Sequence, residues 1–448
     1  MFRGEGLVIF DREIYIERLR NRKQNNLIKI ITGARRVGKS FLLNELFFRS
    51  LIQDGIPEDH IIRFAFDSDE DIDLLDPFFP EEETRIKTGK NSISINSRKF
   101  RAFIKEKAKD EEPYYLLLDE VQLLDQFVGT LNSFLRHKNY DIYVTGSNSR
   151  FLSSDIATEF KGRGTEIHVL PLSFCEYCSG LNLSPREAWK EYIETGGIPL
   201  VALMKSREEK TSYLKSLGDV TYLKDIIQRN GLKKTAELSE LLDVIASSIG
   251  APVSVLKLTN TFQSVAKKSI TDDTVSRYID FFEEAFVISR AKKYSIKGKK
   301  HIGAPFKLYF EDVGVRNARL NFRQIEETHL MENILYNELR YRGFTVDAGA
   351  VEIYEKTGRT DKNGKDIFGQ KELEVDFVAT KGSGKYYIQS ALSIAQPSKE
   401  QQEKRSLYSI DDSFMKVIIT KDDLNPRIDD KGINIINLFD FLMDVHYL

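Results

Sequence analysis

The sequence predicts an α/β protein in which residues 1–200 form a parallel sheet covered by helices on both faces. Short strand-like segments rich in β-branched residues alternate with segments whose apolar residues have helical spacing. One central segment, "PYYLLLDEVQ", is apolar at successive positions and then runs into acidic residues. Alternating strands and helices predict parallel pairing, and an uninterrupted apolar strand indicates burial on both faces.

The composition limits the class of protein. With 448 residues, the chain is too long for one ordinary core, and its length indicates roughly two to four domains. Lys and Arg total 66 and Asp and Glu total 68, so any basic partner site must be local. No apolar run reaches the roughly 18 residues of a membrane span, the N-terminus lacks a secretory signal, and two cysteines exclude a disulfide framework. We therefore expect a soluble, cytoplasmic protein without a membrane partner.

The stretch "ITGARRVGKS" follows the first strand and precedes the helix "SFLLNELFFRSLIQ". Its spacing, Gly-x-x-x-x-Gly-Lys-Ser, is typical of a P-loop that cradles nucleotide phosphates. Glycines let backbone N–H groups converge on the β-phosphate, and the positive end of the helix adds to this attraction. We expect Lys39 to contact the β- and γ-phosphates of ATP and Ser40 to bind Mg²⁺. The predicted nucleotide-binding residues are Gly33, Ala34, Arg35, Arg36, Val37, Gly38, Lys39, Ser40 and Phe41.

Two acidic residues follow the central strand "YYLLLDE". Asp119 is predicted to hold Mg²⁺ through water, and Glu120 to orient and polarise the water that attacks the γ-phosphate. A chain that only held ATP would not need an acid beside Asp119, so Glu120 favours hydrolysis. Slow turnover that drives a switch fits the residues as well as fast turnover does.

Five motifs together resemble one family: "GARRVGKS", "LLLDEVQ", "VTGSNSRFL", "KGRGTEIHVLPLSFCEY" and "GGIPL". They are similar to bacterial and archaeal AAA-type ATP-binding proteins, in which an ATPase domain precedes a C-terminal domain of unknown function. The resemblance implies that Ser147 or Asn148 is the polar sensor after the next strand. It also implies that Arg163 completes the site of a neighbouring subunit, which makes a homo-oligomer the expected state.

A separate physical argument concerns Arg163. Phosphoryl transfer needs positive charge near the γ-phosphate, and an arginine in that place can contribute roughly 10³–10⁵ in rate. The alternative is that Arg163 binds a carboxylate at the edge of the domain.

The sequence changes character at about residue 201, where helical segments replace the alternating pattern. Three short helices followed by a basic hairpin predict a winged helix. The predicted division is an AAA-type P-loop ATPase domain at 1–200, a winged-helix or lid domain at 201–305, and a strand-rich α/β domain at 306–448.

The basic hairpin is "RAKKYSIKGKK", residues 290–300. As the wing of a winged helix, it would lie along the backbone of double-stranded DNA and bind in a salt-dependent way. The alternatives are a solvated hairpin that protects a sheet edge, or a lid over the ATPase domain. Its basic residues, with Tyr294 among them, are Arg290, Lys292, Lys293, Lys297, Lys299 and Lys300.

The last 143 residues resemble a restriction-endonuclease-like domain, whose carboxylates bind Mg²⁺ beside a lysine. Glu332 fits the acid of the first helix and Asp376 the acid of a strand. On the next strand, Gln389 and Ala391 stand where glutamate and lysine are expected. We therefore predict a domain that does not cut nucleic acid and serves as a binding or assembly platform.

The leading functional prediction is an ATPase that uses ATP and Mg²⁺ to change its contacts with DNA or a protein client. A second candidate is a regulatory protein in which the nucleotide is a ligand and turnover is incidental. An ATP-linked nuclease is the least favoured candidate.

Overall fold

The structure is a computed structural model. It describes residues 8–88, 93–146, 160, 162–233, 235–360 and 366–448. The described chain forms two compact units, one from 8–170 with 284–286 and the other from 171–283 with 287–448. Among the described helices, none is both long and apolar enough to cross a membrane.

The first unit contains a five-stranded sheet in which every neighbouring pair is parallel, as the sequence predicted. The strands of the first unit are β1 (Ile28–Thr32), β2 (Ile61–Ala65), β3 (Arg85–Lys87), β4 (Ile93–Ile95), β5 (Tyr114–Asp119), β6 (Tyr140–Thr145) and β7 (Gly164–His168). The order in the sheet is β2-β5-β6-β1-β7, and β3 and β4 form a separate hairpin. Every residue of β1 and β5 is buried, which fits a sheet covered on both faces.

Helices cover this sheet. They are α1 (Glu13–Arg20), α2 (Lys39–Phe41, Leu42–Phe47 and Phe48–Gln53, the middle part π-helical), α3 (Asp69–Asp73), α4 (Ser97–Lys107) and α5 (Phe127–Phe134). The rings of Phe64 and Phe66 pack against Phe100 of α4, with centroid distances to Phe100 of 5.0 and 4.9 Å. This aromatic contact anchors the end of β2, where Asp67 follows.

The second unit begins with helices. They are α6 (Phe174–Leu181), α7 (Pro185–Thr195), α8 (Pro199–Leu203), α9 (Arg207–Ser216, Leu217–Leu223 and Lys224–Asn230), α10 (Thr235–Ser247), α11 (Val255–Ala266) and α12 (Asp272–Glu284). The motif "GGIPL" lies between α7 and α8 and has a packing role. A Cβ atom on Gly197 would lie 2.4 Å from the carbonyl oxygen of Leu172. The buried Asp312 carboxylate accepts a hydrogen bond of 2.7 Å from the Gly197 N–H group.

The second unit also contains an eight-stranded mixed sheet in the order β14-β15-β13-β12-β11-β10-β8-β9. Its strands are β8 (Ile288–Ser295), β9 (Lys300–Phe310), β10 (Thr345–Thr360), β11 (Asp366–Lys381), β12 (Gly384–Ala391), β13 (Met415–Thr420), β14 (Arg427–Ile428) and β15 (Ile433–Asn437). The helices that follow β9 are α13 (Val313–Arg319), α14 (Glu327–Tyr341), α15 (Pro397–Tyr408) and α16 (Leu438–Met443).

The basic hairpin, β8 with β9, is part of this large sheet because β8 pairs in parallel with β10. The predicted boundary at residue 305 therefore falls inside β9, and the one at residue 200 falls inside α8. Local periodicity does not reveal such pairing, since the paired residues of β8 and β10 are far apart in the chain. The winged-helix and restriction-endonuclease-like assignments stay predictions.

Candidate nucleotide-binding site

The loop between β1 and α2 depends on two glycines with left-handed backbone. Gly33 has φ +139° and Gly38 has φ +92°. A Cβ atom on Gly33 would lie 2.2 Å from the carbonyl oxygen of Val169, so a side chain does not fit there. The loop leads directly into α2, whose first turn presents backbone N–H groups and the positive end of the helix dipole.

Lys39 lies inside the curve of the loop. Its Nζ donates to the carbonyl oxygens of Gly33, at 2.9 Å, and Ala34, at 2.8 Å. The side chain is buried, which keeps the ammonium group beside the backbone that is predicted to bind phosphate.

The other loop residues divide between the core and the surface. Ala34 and Val37 are buried and fix the loop to the core of the unit. Exposed side chains belong to Arg35, Arg36, Ser40 and Phe41.

Asp119 ends β5 and contacts the loop helix. Its carboxylate accepts hydrogen bonds from Thr145 Oγ1 and, at 3.4 Å, from Asn44 Nδ2, and the nearby Ser40 hydroxyl lowers its pKa. Ser40 and Asp119, the two residues that the sequence predicted as Mg²⁺ ligands, are therefore neighbours, and their role stays a prediction. A hydroxyl and a carboxylate are hard oxygen donors, which suit Mg²⁺.

The environment of Asp119 disfavours its charge. Burial raises the pKa of Asp119, hydrogen bonds from Thr145 and Ser40 oppose this effect, and the charges of Glu120 and Asp67 add to it. A cation bound beside Asp119 would reduce this penalty, because it favours the charged carboxylate.

Glu120 has a strained backbone. Its φ is +51°, in the left-handed region that costs a residue with a side chain about 1–3 kcal/mol. Its N–H group donates to Thr145 Oγ1 at 3.1 Å, and its carboxylate accepts a hydrogen bond from the Gln122 side chain. The same threonine therefore holds both acids at the end of β5.

Asp67 and Thr145 were missed by the sequence reasoning. Ala65 of β2 pairs with Asp119, and the Phe66 N–H group donates to the Asp119 carbonyl oxygen at 3.0 Å, so Asp67 follows at the same edge. Partial burial, and after it the charge of Glu120, raise the pKa of Asp67. The available signal was a polar residue at the end of a strand, but the sequence does not reveal which strands are neighbours.

Ser147 and Asn148, the predicted sensor residues, lie outside the described residues. Arg163 precedes β7, where its Nη1 donates to Asn132 Oδ1 at 3.4 Å. In the described chain, Arg163 thus contacts an amide rather than the carboxylate of the alternative prediction.

Arg163 and the loop lie at opposite ends of the sheet. Gly164 of β7 pairs with Ile28, whereas His168 pairs with Thr32, the last residue before the loop. Five residues of parallel strand therefore separate Arg163 from the loop of the same chain, roughly 16 Å at about 3.3 Å per residue. This separation excludes a direct role of Arg163 at its own loop.

A parallel sheet with a phosphate loop after β1 and two acids after β5 defines the fold as a P-loop nucleotide-binding domain of AAA type. Comparison with family models agrees. Residues 25–178 match "AAA domain", and residues 186–326 match "Domain of unknown function (DUF8612)".

Two relatives are similar to this protein along most of its length. An uncharacterized protein of Haemophilus influenzae is 30% identical over 442 residues, which cover 97% of this chain and 99% of that protein. Uncharacterized protein MJ1544 of Methanocaldococcus jannaschii is 26% identical over 411 residues, which cover 88% and 80%. Among solved structures, the Walker-type ATPase PABY2304 of Pyrococcus abyssi gives a TM-score of 0.45 at 16% identity, covering 70% of this chain and 96% of that one.

The chain belongs to the family of AAA-type P-loop ATPases. The Haemophilus influenzae protein is similar to this chain over 99% of its own length. The resemblance that the five motifs indicated is confirmed, including a domain of unknown function after the AAA domain.

Asp119→Asn should stabilise the nucleotide-free protein near neutral pH. When the pKa of a carboxyl is higher in the folded than in the unfolded chain, the free energy of unfolding falls as the pH rises from the unfolded to the folded pKa. Removing the carboxyl should add about 0.5–2 kcal/mol to the free energy of unfolding. The gain should vanish as the pH falls toward the unfolded value of about 3.9.

Calorimetry across pH measures this effect, with Asp59→Asn as a control at an exposed position of the same unit. A less stable Asp119→Asn protein at neutral pH would contradict the assigned burial penalty.

Proposed function

We propose that this chain hydrolyses ATP with Mg²⁺ at the P-loop and uses the cycle to change its contacts with DNA or a protein partner. The observation that carries the proposal is the position of Glu120, which Thr145 holds beside Asp119 in a strained conformation. A carboxylate in this place is suited to orient an attacking water.

Each residue has a separate task in this proposal. Lys39 binds the β- and γ-phosphates, and Ser40 and Asp119 hold Mg²⁺. The bound ion neutralises charge that develops on the phosphate oxygens. Glu120 orients the water and polarises it.

The second candidate function is a nucleotide-gated binding protein with little turnover. This candidate is favoured by the hydrogen bond that the Gln122 side chain donates to the Glu120 carboxylate. Hydrolysis requires that this carboxylate accept a hydrogen bond from water instead. Multiple turnovers in purified protein would support hydrolysis, whereas stoichiometric retained nucleotide would support gating.

Arg163 is proposed to act on the nucleotide of a neighbouring subunit in a homo-oligomer. Because Arg163 lies far from the phosphate loop of its own chain, it would reach a γ-phosphate only in a neighbouring subunit. A chain that stays monomeric with ATP at micromolar concentration would exclude this role.

The basic hairpin is the proposed DNA contact. Arg290 pairs with Asp280 and Glu283, and Lys293 pairs with Glu372, so these two cations are neutralised within the unit. The remaining four lysines are exposed, and none forms an ion pair with another described residue: Lys292, Lys297, Lys299 and Lys300. Lys297 and Lys299 lie in the turn and Lys300 begins β9, where a phosphate backbone can approach.

Lys39→Ala should weaken ATP binding by about 100-fold, which corresponds to about 2.7 kcal/mol, because a charged donor to two phosphates is lost. ATP turnover should fall to background. Titration with a fluorescent ATP analogue measures the affinity, and Lys23→Ala, a surface lysine of the same unit, is the control. Unchanged affinity in Lys39→Ala would contradict the assignment of the phosphate loop.

Replacing Lys292, Lys297, Lys299 and Lys300 by alanine should weaken binding to all double-stranded DNA sequences alike. The slope of log affinity against log salt should flatten by up to about 0.9 per lost phosphate contact. Fluorescence anisotropy at several salt concentrations measures both quantities. The control removes the same charge from four other exposed lysines of the unit, Lys205, Lys215, Lys224 and Lys399.

Absence of DNA binding by the wild-type protein at low salt would refute this contact. The lysines would then protect the edge of the sheet, where β9 is the last strand.

A further inference from the structure

A buried lysine lies among carboxylates in the second unit. Lys307, on β9, is 2% exposed, and its Nζ lies 2.8 Å from Glu332 Oε1 and 3.5 Å from Asp376 Oδ1. It also forms an ion pair with Glu374. These partners come from α14 and β11, so the ammonium group joins three elements.

The cluster is closed by further contacts. Tyr309 donates its hydroxyl to Glu332 Oε1 at 2.6 Å, and the Ser390 N–H group donates to Asp376 Oδ2 at 2.8 Å. A Cβ atom on Gly250 would lie 3.1 Å from the carboxylate of Glu332. These groups limit the space around both acids.

The charges of the cluster depend on one another. Burial alone would favour a neutral amine, but Glu332, Asp376 and Glu374 raise the pKa of Lys307 above its ordinary value. Burial and the charge of Glu332 raise the pKa of Asp376, and Lys307 opposes this shift. The lysine is therefore charged, and its charge is what allows the carboxylates to be buried.

Glu332 and Asp376 are the residues that the sequence matched to the metal ligands of a nuclease domain, and they do meet in space through Lys307. β12 carries Ala391 where the nuclease pattern has a lysine, and the lysine beside these acids comes from β9. Lys385, which does lie on β12, contacts aromatic rings: its Nζ lies 5.3 Å from the ring centre of Tyr294 and 4.9 Å from that of Phe414.

We propose that the ammonium group of Lys307 is the permanent cation of this cluster, and that the cluster therefore does not take up a divalent metal. Lys307 contacts the carboxylate oxygens that a metal would need, and a second cation would be repelled at close range. Gln389 adds only a neutral amide, which spans the Asp376 N–H group and Glu403. In the described part of the chain, no group of three or more His, Cys, Asp or Glu side chains is arranged to hold a metal ion.

The ammonium group of Lys307 supplies the counter-charge that allows the carboxylates to be buried without a metal. They fix the edge strand β9 to α14 and β11 through one central charge. The acids should regain cation affinity when the lysine is removed, because two or three carboxylates would then be left without a counter-charge.

Binding of Mn²⁺ to the full-length, nucleotide-free protein tests this proposal, with free Mn²⁺ followed by electron paramagnetic resonance. The wild-type protein and Asp376→Asn should bind the same number of ions. Lys307→Met should bind about one more ion per chain, and Lys307→Met with Asp376→Asn should lose it again. Lys292→Met, an exposed lysine on the adjacent strand, should match the wild type.

Two results would overturn the proposal: a wild-type Mn²⁺ site that disappears in Asp376→Asn, or a folded Lys307→Met protein that gains no ion. If Lys307→Met does not fold, the comparison of wild type with Asp376→Asn still decides whether the native cluster binds metal. In that case the double variant Lys307→Met with Glu332→Gln should fold better than Lys307→Met alone, because it leaves fewer buried charges without a partner.

Discussion

The parallel pairing of β5 with β2 and β6 is the constraint on which the nucleotide site depends. It places the ends of three strands at one edge, so that Asp119 and Glu120 meet Thr145 from β6. The loop after β1 reaches the same edge, where Ser40 contacts Asp119. A change of register by one residue would turn these side chains to the opposite face of the sheet.

The local parts of the site could be predicted from the sequence. The loop and the two acids depend on residues that are consecutive in the chain, and a strand on one side with a helix on the other supplies the structural context. The sequence did not reveal which strands are neighbours in the sheet, because parallel pairing joins segments that are far apart in the chain and connected by helical crossovers. Thr145 is part of the site only because β6 lies beside β5, and Asp67 only because β2 does.

The same limit applies to the second unit. The acids Glu332 and Asp376 were recognised from local patterns, but their partner Lys307 lies on β9, a strand that the predicted boundary at residue 305 divided between two domains. The hairpin looked like an independent wing because its basic residues are contiguous. In the structure, backbone hydrogen bonds to β10 make it part of the eight-stranded sheet.

The two carboxylate clusters of this chain have opposite relations to cations. Around Asp119, the hydrogen-bond donors that the structure shows are neutral hydroxyl and amide groups. Its negative charge is thus available to a metal. Around Glu332 and Asp376, a buried ammonium group already neutralises the acids. This difference supports the proposals that metal-dependent chemistry belongs to the first unit and that the cluster of the second unit is structural.

The most direct test of the central claim is the steady-state rate of ATP hydrolysis in Glu120→Gln protein, together with its affinity for ATP. The substitution keeps the shape of the side chain and removes the charge that orients the attacking water. We expect the affinity to be retained and turnover to fall by about a hundredfold or more, as for the loss of a general base. Turnover within a few fold of the wild type would contradict this expectation, because Glu120 would then have no part in hydrolysis.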